Sequence, residues 1–305
     1  MSVAHAPFKL VWRARQFMRY QVINRIPSFR AFYEKKQVDE IYELAKRAAN
    51  RNFPVKVLES GWANQDCLFD KNYQMLTGEL TETCKSIGAF VGDIPIALHW
   101  SRRYEYPYAI MKSIPPKHPS REFKILDCGA GIGPLQFYFA MKGYNTYTLD
   151  LDLPALERVA RFKSEKKPES LHPTFGNVLK LPFPDSYFDR VTSISVLEHV
   201  IYPVKQDTNV ILKGFVNEML RVLKPKGLVV LTFDVNMNPK KSDLRLYLHE
   251  YESLCKTLGT LPTSPPASNL FSSDTKEGRM MGEDLCTYCA ILTHDSFKCS
   301  RKEET

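Results

Sequence analysis

The chain contains no apolar run of the ~18 residues that a membrane-crossing helix needs, so no bilayer span is expected. It also lacks the N-terminal apolar stretch of a secretory leader, and the expected compartment is the cytoplasm. A regular, even cysteine set is missing too. Seven cysteines scattered through 305 residues argue for reduced thiols and against a disulfide framework. Acidic residues are outnumbered, 34 against 42 basic ones, and the formal net charge is +8. That balance suits RNA, phosphorylated substrates or an anionic membrane and selects none of them. Hydrophobic content of 44% and charged content of 25% are ordinary for a globular protein. A chain of this length holds one large domain, or a core with an appended one, and can bury a hydrophobic core.

Much of the basic excess lies near the start. Residues 8–36 carry Lys9, Arg13, Arg15, Arg19, Arg25, Arg30, Lys35 and Lys36 against the single acid Glu34, interleaved with apolar residues such as Trp12, Phe17 and Ile23. Such a basic amphipathic stretch suits peripheral contact with an anionic membrane. The plainer reading is a surface helix whose apolar side covers the core. A second helix is expected over 37–49, where Val38, Ile41, Leu44, Ala45 and Ala48 keep the helical period. Between 55 and 100 the signals are mixed, with strand-like runs at 55–58 and 94–98 and a helix-like one at 80–87. Ser101-Arg-Arg-Tyr-Glu-Tyr-Pro-Tyr-Ala109 then brings Arg102, Arg103 and Tyr106 forward as substrate-binding candidates, guanidinium groups for a carboxylate or phosphate and a ring for an organic skeleton. The alternative is that an arginine pairs with Glu105 while the tyrosines cover the sheet. Pro115-Pro-Lys-His-Pro119 is a stiff, non-helical connector and marks the expected domain boundary.

The stretch that organises the chain follows. In Phe123-Lys-Ile-Leu-Asp-Cys-Gly-Ala-Gly-Ile-Gly133 a short apolar run shaped like a buried parallel strand leads into glycines at alternate positions, which lets the backbone turn tightly and expose its amides. Pro134 opens a helix-compatible run that Gly143 ends. Strand, glycine turn and helix form a nucleotide-type site. Asp127 precedes the glycines, and Asp150 closes the next strand-like run, where a carboxylate can accept hydrogen bonds from both hydroxyls of a ribose.

Asp127-Cys-Gly-Ala-Gly-Ile-Gly133 resembles the first motif of class I S-adenosylmethionine (SAM) dependent methyltransferases, and Asp150 their ribose-binding acid. Gly176-Asn177-Val178, Leu181-Pro-Phe-Pro-Asp-Ser-Tyr-Phe-Asp189, Ser195-Val-Leu-Glu-His-Val200 and Glu218-Met-Leu-Arg-Val-Leu-Lys-Pro-Lys-Gly227 follow in the family's order, most similar to the subgroup with the ubiquinone-biosynthesis O-methyltransferases. The resemblance covers roughly residues 121–234. It implies an α/β fold, a Rossmann-like three-layer α/β/α sandwich around a mostly parallel seven-stranded sheet, here with an N-terminal mainly helical cap. It implies SAM as cofactor, held by Asp127, Cys128, Gly129, Ala130, Gly131, Asp150, Leu151, Asn177, Val178 and Ser195. Among these, Gly129, Gly131 and neighbouring amides would take the methionine part, Asp150 the ribose, and Leu151, Asn177 and Val178 the adenine. Asn177 stands where the family commonly has Asp; it still accepts a hydrogen bond but brings no charge.

A hydroxyl acceptor must lose a proton, and the imidazole of His199 is matched to take it; Glu198 beside it is the second catalytic candidate. A structural role for His199 at the strand-to-helix turn is the alternative. The expected organisation is a basic, mainly helical substrate region over 1–120, a SAM-binding core over 121–298 and a tail over 299–305. The expected activity is methyl transfer to oxygen or nitrogen of a small-molecule, glycan or lipid-linked acceptor. An RNA or protein methyltransferase using the basic N-terminal region, a nicotinamide-dependent oxidoreductase and a catalytically silent scaffold are the rivals. Finally, Cys286, Cys289, His294 and Cys299 have the spacing of a zinc knuckle, but residues 285–292 read as a strand that would point Cys286 and Cys289 to opposite faces, so no metal is assigned.

Overall fold

The computed structural model describes residues 27–51, 53–63, 65–99, 101–115, 122–166, 169–201, 207–236, 246–260, 262–264 and 285–295. Most of the basic segment 8–36, including its proposed membrane contact, lies outside these residues, as does Cys299. No described helix is long and apolar enough to cross a membrane.

The described chain opens with helix α1 (Pro27–Ala49), whose first described residue is a proline, tolerated in a first turn that needs no amide hydrogen. Strand β1 (Val55–Trp62) follows, then a 3-10 turn at Gln65–Phe69 and helix α2 (Lys71–Ile87). The Asp70 carboxylate caps α2, accepting from the amides of Asn72 at 2.8 Å and Tyr73 at 3.2 Å, and Gly88 ends it at φ 66°. The hairpin β2 (Phe90–Val91) and β3 (Ile94–Pro95) leads to helix α3 (Arg102–Ser113).

Strands and helices then alternate: β4 (Lys124–Cys128), α4 (Leu135–Met141), β5 (Asn145–Asp150), α5 (Leu153–Lys166), β6 (Leu171–Phe175), β7 (Phe188–Ile194), α6 (Leu197–Ile201), α7 (Thr208–Val222) and β8 (Leu223–Asn236). The described chain closes with β9 (Leu246–Tyr247), α8 (Leu248–Leu258) and β10 (Leu285–His294).

The main sheet runs β1-β10-β8-β7-β4-β5-β6, with β9 pairing beside the end of β8. Strands β6, β5, β4, β7 and β8 are mutually parallel, while β10 is antiparallel to both β8 and β1. This is the expected seven-stranded, mostly parallel sheet with helices on both faces. One face packs Phe215, Met219, Leu220 and Tyr251 of α7 and α8 against Leu126, Val191, Leu231 and Phe233. The other packs Leu80, Cys84, Tyr104, Tyr108 and Ile110 of α2 and α3 against Ile125, Val230, Cys289 and Ile291.

Two features differ from the expectation. Helices α1, α2 and α3 do flank the sheet, but β1 is one of its strands, so a division at residue 120 cuts through one folded unit. The connection is deep elsewhere too: a Cβ on Gly214 of α7 would lie 2.5 Å from the carbonyl of Ala45 in α1, and buried Asn217 donates to the Ala48 carbonyl at 3.1 Å. The expected turn at Pro225-Lys-Gly227 is a bulge inside a continuous strand: ladder partners advance from Leu223 to Leu228 while β7 advances only from Phe188 to Arg190.

Strand β10 contains Cys286, Cys289 and His294. Cys289 joins the core against α2 and α3, three positions and therefore one face away from Cys286, and His294 Nε2 donates to the Leu223 carbonyl at 3.0 Å. Among the described residues no three His, Cys, Asp or Glu side chains gather as a metal site.

Candidate functional site

On the sheet face that meets α3, side chains turn from apolar to polar as the strands reach their C-terminal ends. In β4, Ile125 is followed by Asp127, and in β8, Val230 is followed by Thr232 and Asp234; the first of each series lies in the core. Active sites in open α/β sheets gather at this edge.

Asp127 accepts from Thr192 Oγ1 at 2.8 Å and is almost wholly buried. Burial pushes its carboxyl up to about 7, against the opposing pull of the Thr192 hydrogen bond, with the charge of Asp150 adding to the rise. Cys128, one residue on, turns its side chain into the opposite core cluster, where burial raises its thiol well above the usual value. Only its main chain therefore lies at the glycine turn.

Gly129 has φ 66°, and a Cβ there would sit 2.6 Å from Cγ2 of Val196, so only glycine lets the turn pass the end of β7. Gly131 has φ 52° and open space where its Cβ would be. Its amide donates to Asp150 Oδ2 at 2.7 Å, while Asp150 Oδ1 accepts from the Asp152 amide at 2.7 Å. The Ala130 amide bonds back to the Leu149 carbonyl at 3.3 Å. Buried Gln136 secures the turn from behind, donating to the Gly131 carbonyl at 3.1 Å. The sequence reading missed Gln136, although a lone amide within Leu135-Gln-Phe-Tyr-Phe139 was the available signal.

At the adjoining strand ends Leu151 is 53% exposed and Val178 is buried. Asn177 is half-buried, its Oδ1 accepting from the Leu179 amide at 2.9 Å. All three lie just beyond the ends of β5 and β6.

Across the turn, α3 is fastened to the sheet by Glu105, which is fully buried. Its Oε1 accepts from Ser195 Oγ at 2.7 Å and Thr232 Oγ1 at 2.5 Å, and its Oε2 pairs with the Arg102 guanidinium. Arg102 also donates to Ser195 Oγ at 2.5 Å and lies over the Tyr106 ring at 5.8 Å. Burial alone would lower the Arg102 pKa, but Glu105, Tyr106, Asp234 and Glu198 outweigh it and hold the guanidinium above its ordinary value. Both sequence readings of this helix thus meet in one side chain: Arg102 pairs with Glu105, and it does so at the strand ends.

Tyr106 is buried with its hydroxyl 2.8 Å from where a Gly133 Cβ would stand. Arg103 instead lines a separate cavity of about 310 Å³ with Leu68, Tyr73, Gln74 and Thr77. The three expected substrate contacts are therefore split, Arg102 and Tyr106 at the turn and Arg103 elsewhere. Ser195 is one of the two described non-glycine residues with positive φ, at 50°, and its amide bonds the Thr232 carbonyl at 3.0 Å.

The two catalytic candidates point differently. His199 is exposed on α6, whereas Glu198 is buried, its Oε1 3.4 Å from the Asp234 amide and its Oε2 without a hydrogen-bond partner. Burial, then the charge of Asp234, raises the Glu198 carboxyl well above the carboxylate range. Asp234 Oδ1 accepts from Thr287 Oγ1 at 2.9 Å.

Residues 126–231 match a family profile described as a methyltransferase domain. An uncharacterized protein of Methanocaldococcus jannaschii is 40% identical over 111 residues, 36% of this chain and 40% of that protein. A ubiquinone/menaquinone biosynthesis C-methyltransferase of Ruegeria is 34% identical over 130 residues, 41% of this chain and 47% of the relative. The chain thus spans less than half the length of these two relatives. Among solved structures, the [4+2]-cyclase SpnF aligns with TM-score 0.49 and 16% identity over 73% of this chain and 96% of its own. The strand order, rather than that likeness, defines the fold.

Proposed function

We propose that this chain, whose residues 126–231 match a methyltransferase-domain profile, is a class I SAM-dependent methyltransferase that moves a methyl group from that donor onto a small-molecule or lipid-linked acceptor at the edge between the glycine turn and α3. One observation carries the reading: the Asp150 carboxylate is tied to the Gly131 amide, and the space where a Gly131 Cβ would stand is open. A carboxylate so placed has lone pairs left for ribose hydroxyls, and the turn's carbonyl oxygens keep lone pairs for the ammonium group of the amino-acid end, so the residues fit the donor. Bound there, the donor supplies an electrophilic methyl on a positively charged sulfur.

The protein's own contribution is placement. Gln136 and Asp150 hold the turn in shape, Val178 and Asn177 meet the nucleoside side, and the Arg102–Glu105–Ser195–Thr232 group fixes the acceptor side. Positioning of two reactants is itself a large part of such catalysis. Proton removal from the acceptor falls to Glu198 or His199. The relatives divide on the acceptor atom from the sequence expectation: the Ruegeria protein's name specifies carbon.

Isothermal titration tests the reading. SAM is expected to bind, NAD is not, and Asp150→Ala should weaken SAM at least tenfold. Failure of SAM to bind at millimolar concentration overturns the assignment.

A further inference from the structure

We propose that Arg102 is a carboxylate clamp, one part of its guanidinium holding α3 to the strand ends and its remaining edge taking the carboxylate of a bound ligand. The inference rests on the methyl-transfer reading above and names a binding group of that same site. The first observation is an unused edge. Arg102 donates to Ser101 Oγ at 3.2 Å, to Glu105 and to Ser195 Oγ, and all three hydrogen bonds leave from Nη1. A guanidinium presents five N–H donors in a fixed fork, and no described residue accepts from Nε or Nη2 of this one. The Arg102 side chain keeps 22% of its surface exposed while Glu105 keeps none, so the fork is gripped from within and reachable from outside.

The grip is the second observation. Glu105 is held by the Ser195 and Thr232 hydroxyls, and Arg102 is fixed between Glu105, Ser195 and the ring of Tyr106. A guanidinium set in place this way loses little freedom when a ligand arrives, and the two parallel N–H bonds of its Nε–Nη2 edge match the two oxygens of a carboxylate.

Position points to where that carboxylate comes from. Tyr106, one helical turn after Arg102, has its hydroxyl 2.8 Å from where a Gly133 Cβ would stand, and a Gly129 Cβ would meet Val196, the neighbour of Ser195. Arg102 therefore lies between the glycine turn and the end of β7. Asp150, Asn177 and Val178 lie at the β5 and β6 ends, on the other side of β4. A donor anchored there by its nucleoside extends past the turn toward β7, and its far end is an amino acid, with the ammonium group for the turn's carbonyl oxygens and the carboxylate for Arg102. A carboxylate on the acceptor is the other source of the same chemistry. The neighbouring acids leave room for it: Glu105 is engaged at Nη1, Asp234 accepts from Thr287, and burial, then the charge of Asp234, keeps the Glu198 carboxyl protonated.

Calorimetry on the full chain tests this with S-adenosylhomocysteine and 5′-methylthioadenosine, which share the nucleoside and the sulfur and differ in the amino-acid end. Arg102→Lys keeps a positive charge opposite Glu105 and removes the fork; it should weaken S-adenosylhomocysteine at least tenfold and leave 5′-methylthioadenosine unchanged. Arg102→Gln combined with Glu105→Gln, which strands no buried charge, should do the same. If S-adenosylhomocysteine is untouched, and the chain loaded with it binds 4-hydroxyphenylacetate at least tenfold more tightly than the neutral amide of that acid, with the preference lost in Arg102→Lys, the clamp stands and the carboxylate is the acceptor's. Equal loss of both nucleosides in the two variants makes Arg102 only the counter-ion of Glu105 and overturns the proposal, as does unchanged S-adenosylhomocysteine binding without the preference for the acid. Failure of the methyltransferase reading is seen separately, as absence of binding of either nucleoside by the wild-type chain.

Discussion

Replacing Gly129 by alanine isolates the strain that the glycine turn avoids. Two effects add at that position. An L-residue held at φ 66° costs about 1–2 kcal/mol. A methyl 2.6 Å and 2.7 Å from the two Cγ atoms of Val196 forces β7 or the turn to shift, at about 1–3 kcal/mol. The loss should be about 2–5 kcal/mol, a large share of the ~5–15 kcal/mol that holds a typical domain together. Gly131→Ala provides the internal comparison, since φ 52° imposes the backbone penalty while its Cβ meets nothing. That variant should lose only about 1–2 kcal/mol of stability but should weaken SAM, because its methyl enters the open side of the turn. Urea denaturation with an unchanged m-value measures both losses. A Val196→Ala change made in the Gly129→Ala background should recover the steric part, seen as a coupling of about 0.5–3 kcal/mol in the double-mutant cycle. Equal destabilisation by the two glycine changes, or zero coupling to Val196, would refute the account.

Two further outcomes are expected. The Asp127 carboxyl is held at about 7 against an ordinary 3.8, so its favourable contribution is complete below about pH 4 and is lost as pH rises through 7. At ~1.4 kcal/mol per pH unit the upper limit is about 4 kcal/mol, and the stability difference between wild type and Asp127→Asn should change by an amount of that order between pH 4 and pH 7; a flat difference in pH-dependent chemical denaturation argues against the buried, proton-binding carboxyl. Arg221→Ala should cost about 3–5 kcal/mol, because it strands Glu218, whose buried oxygens also bind the Leu181 amide and Arg51. Asp185→Ala, which removes a partner whose side chain is 72% exposed, should cost under about 1 kcal/mol in the same thermal or urea unfolding measurement.

What was legible in the sequence was what local chemistry dictates. The turn at Gly129 and Gly131 could be read because positive φ and close approach call for glycine whatever the rest of the chain does. The acid at Asp150 was legible because a strand's end fixes where its last side chain goes. Alternation along a strand is equally local: the side chain after Asp127 has to face the other way, so Cys128 reaches the turn through its main chain alone. The strand over 55–62 was half-read. Its residues looked extended, but its partner lies more than two hundred positions away, from Val55 opposite His294 to Trp62 opposite Tyr288, and no local pattern names such a partner.

Pairing at that distance also explains why the region before residue 120 does not stand apart as a cap. Once β1 closes the sheet's edge beyond β10, the chain between β1 and β4 has to cross the face on which Val230, Thr232 and Asp234 look out. That crossing brings Glu105 under Ser195 and Thr232, and the alternation of β8 decides that hydroxyl and carboxyl groups, not apolar ones, meet it. Arg102 was legible as a charge and Glu105 as its partner. Their position over the strand ends follows from the return of the N-terminal segment to the far edge of the sheet. The acceptor side of the site is therefore assembled from both sides of residue 120, and a truncation that begins at residue 121 would remove Arg102, Tyr106 and Glu105 together with the edge strand that holds β10 in place.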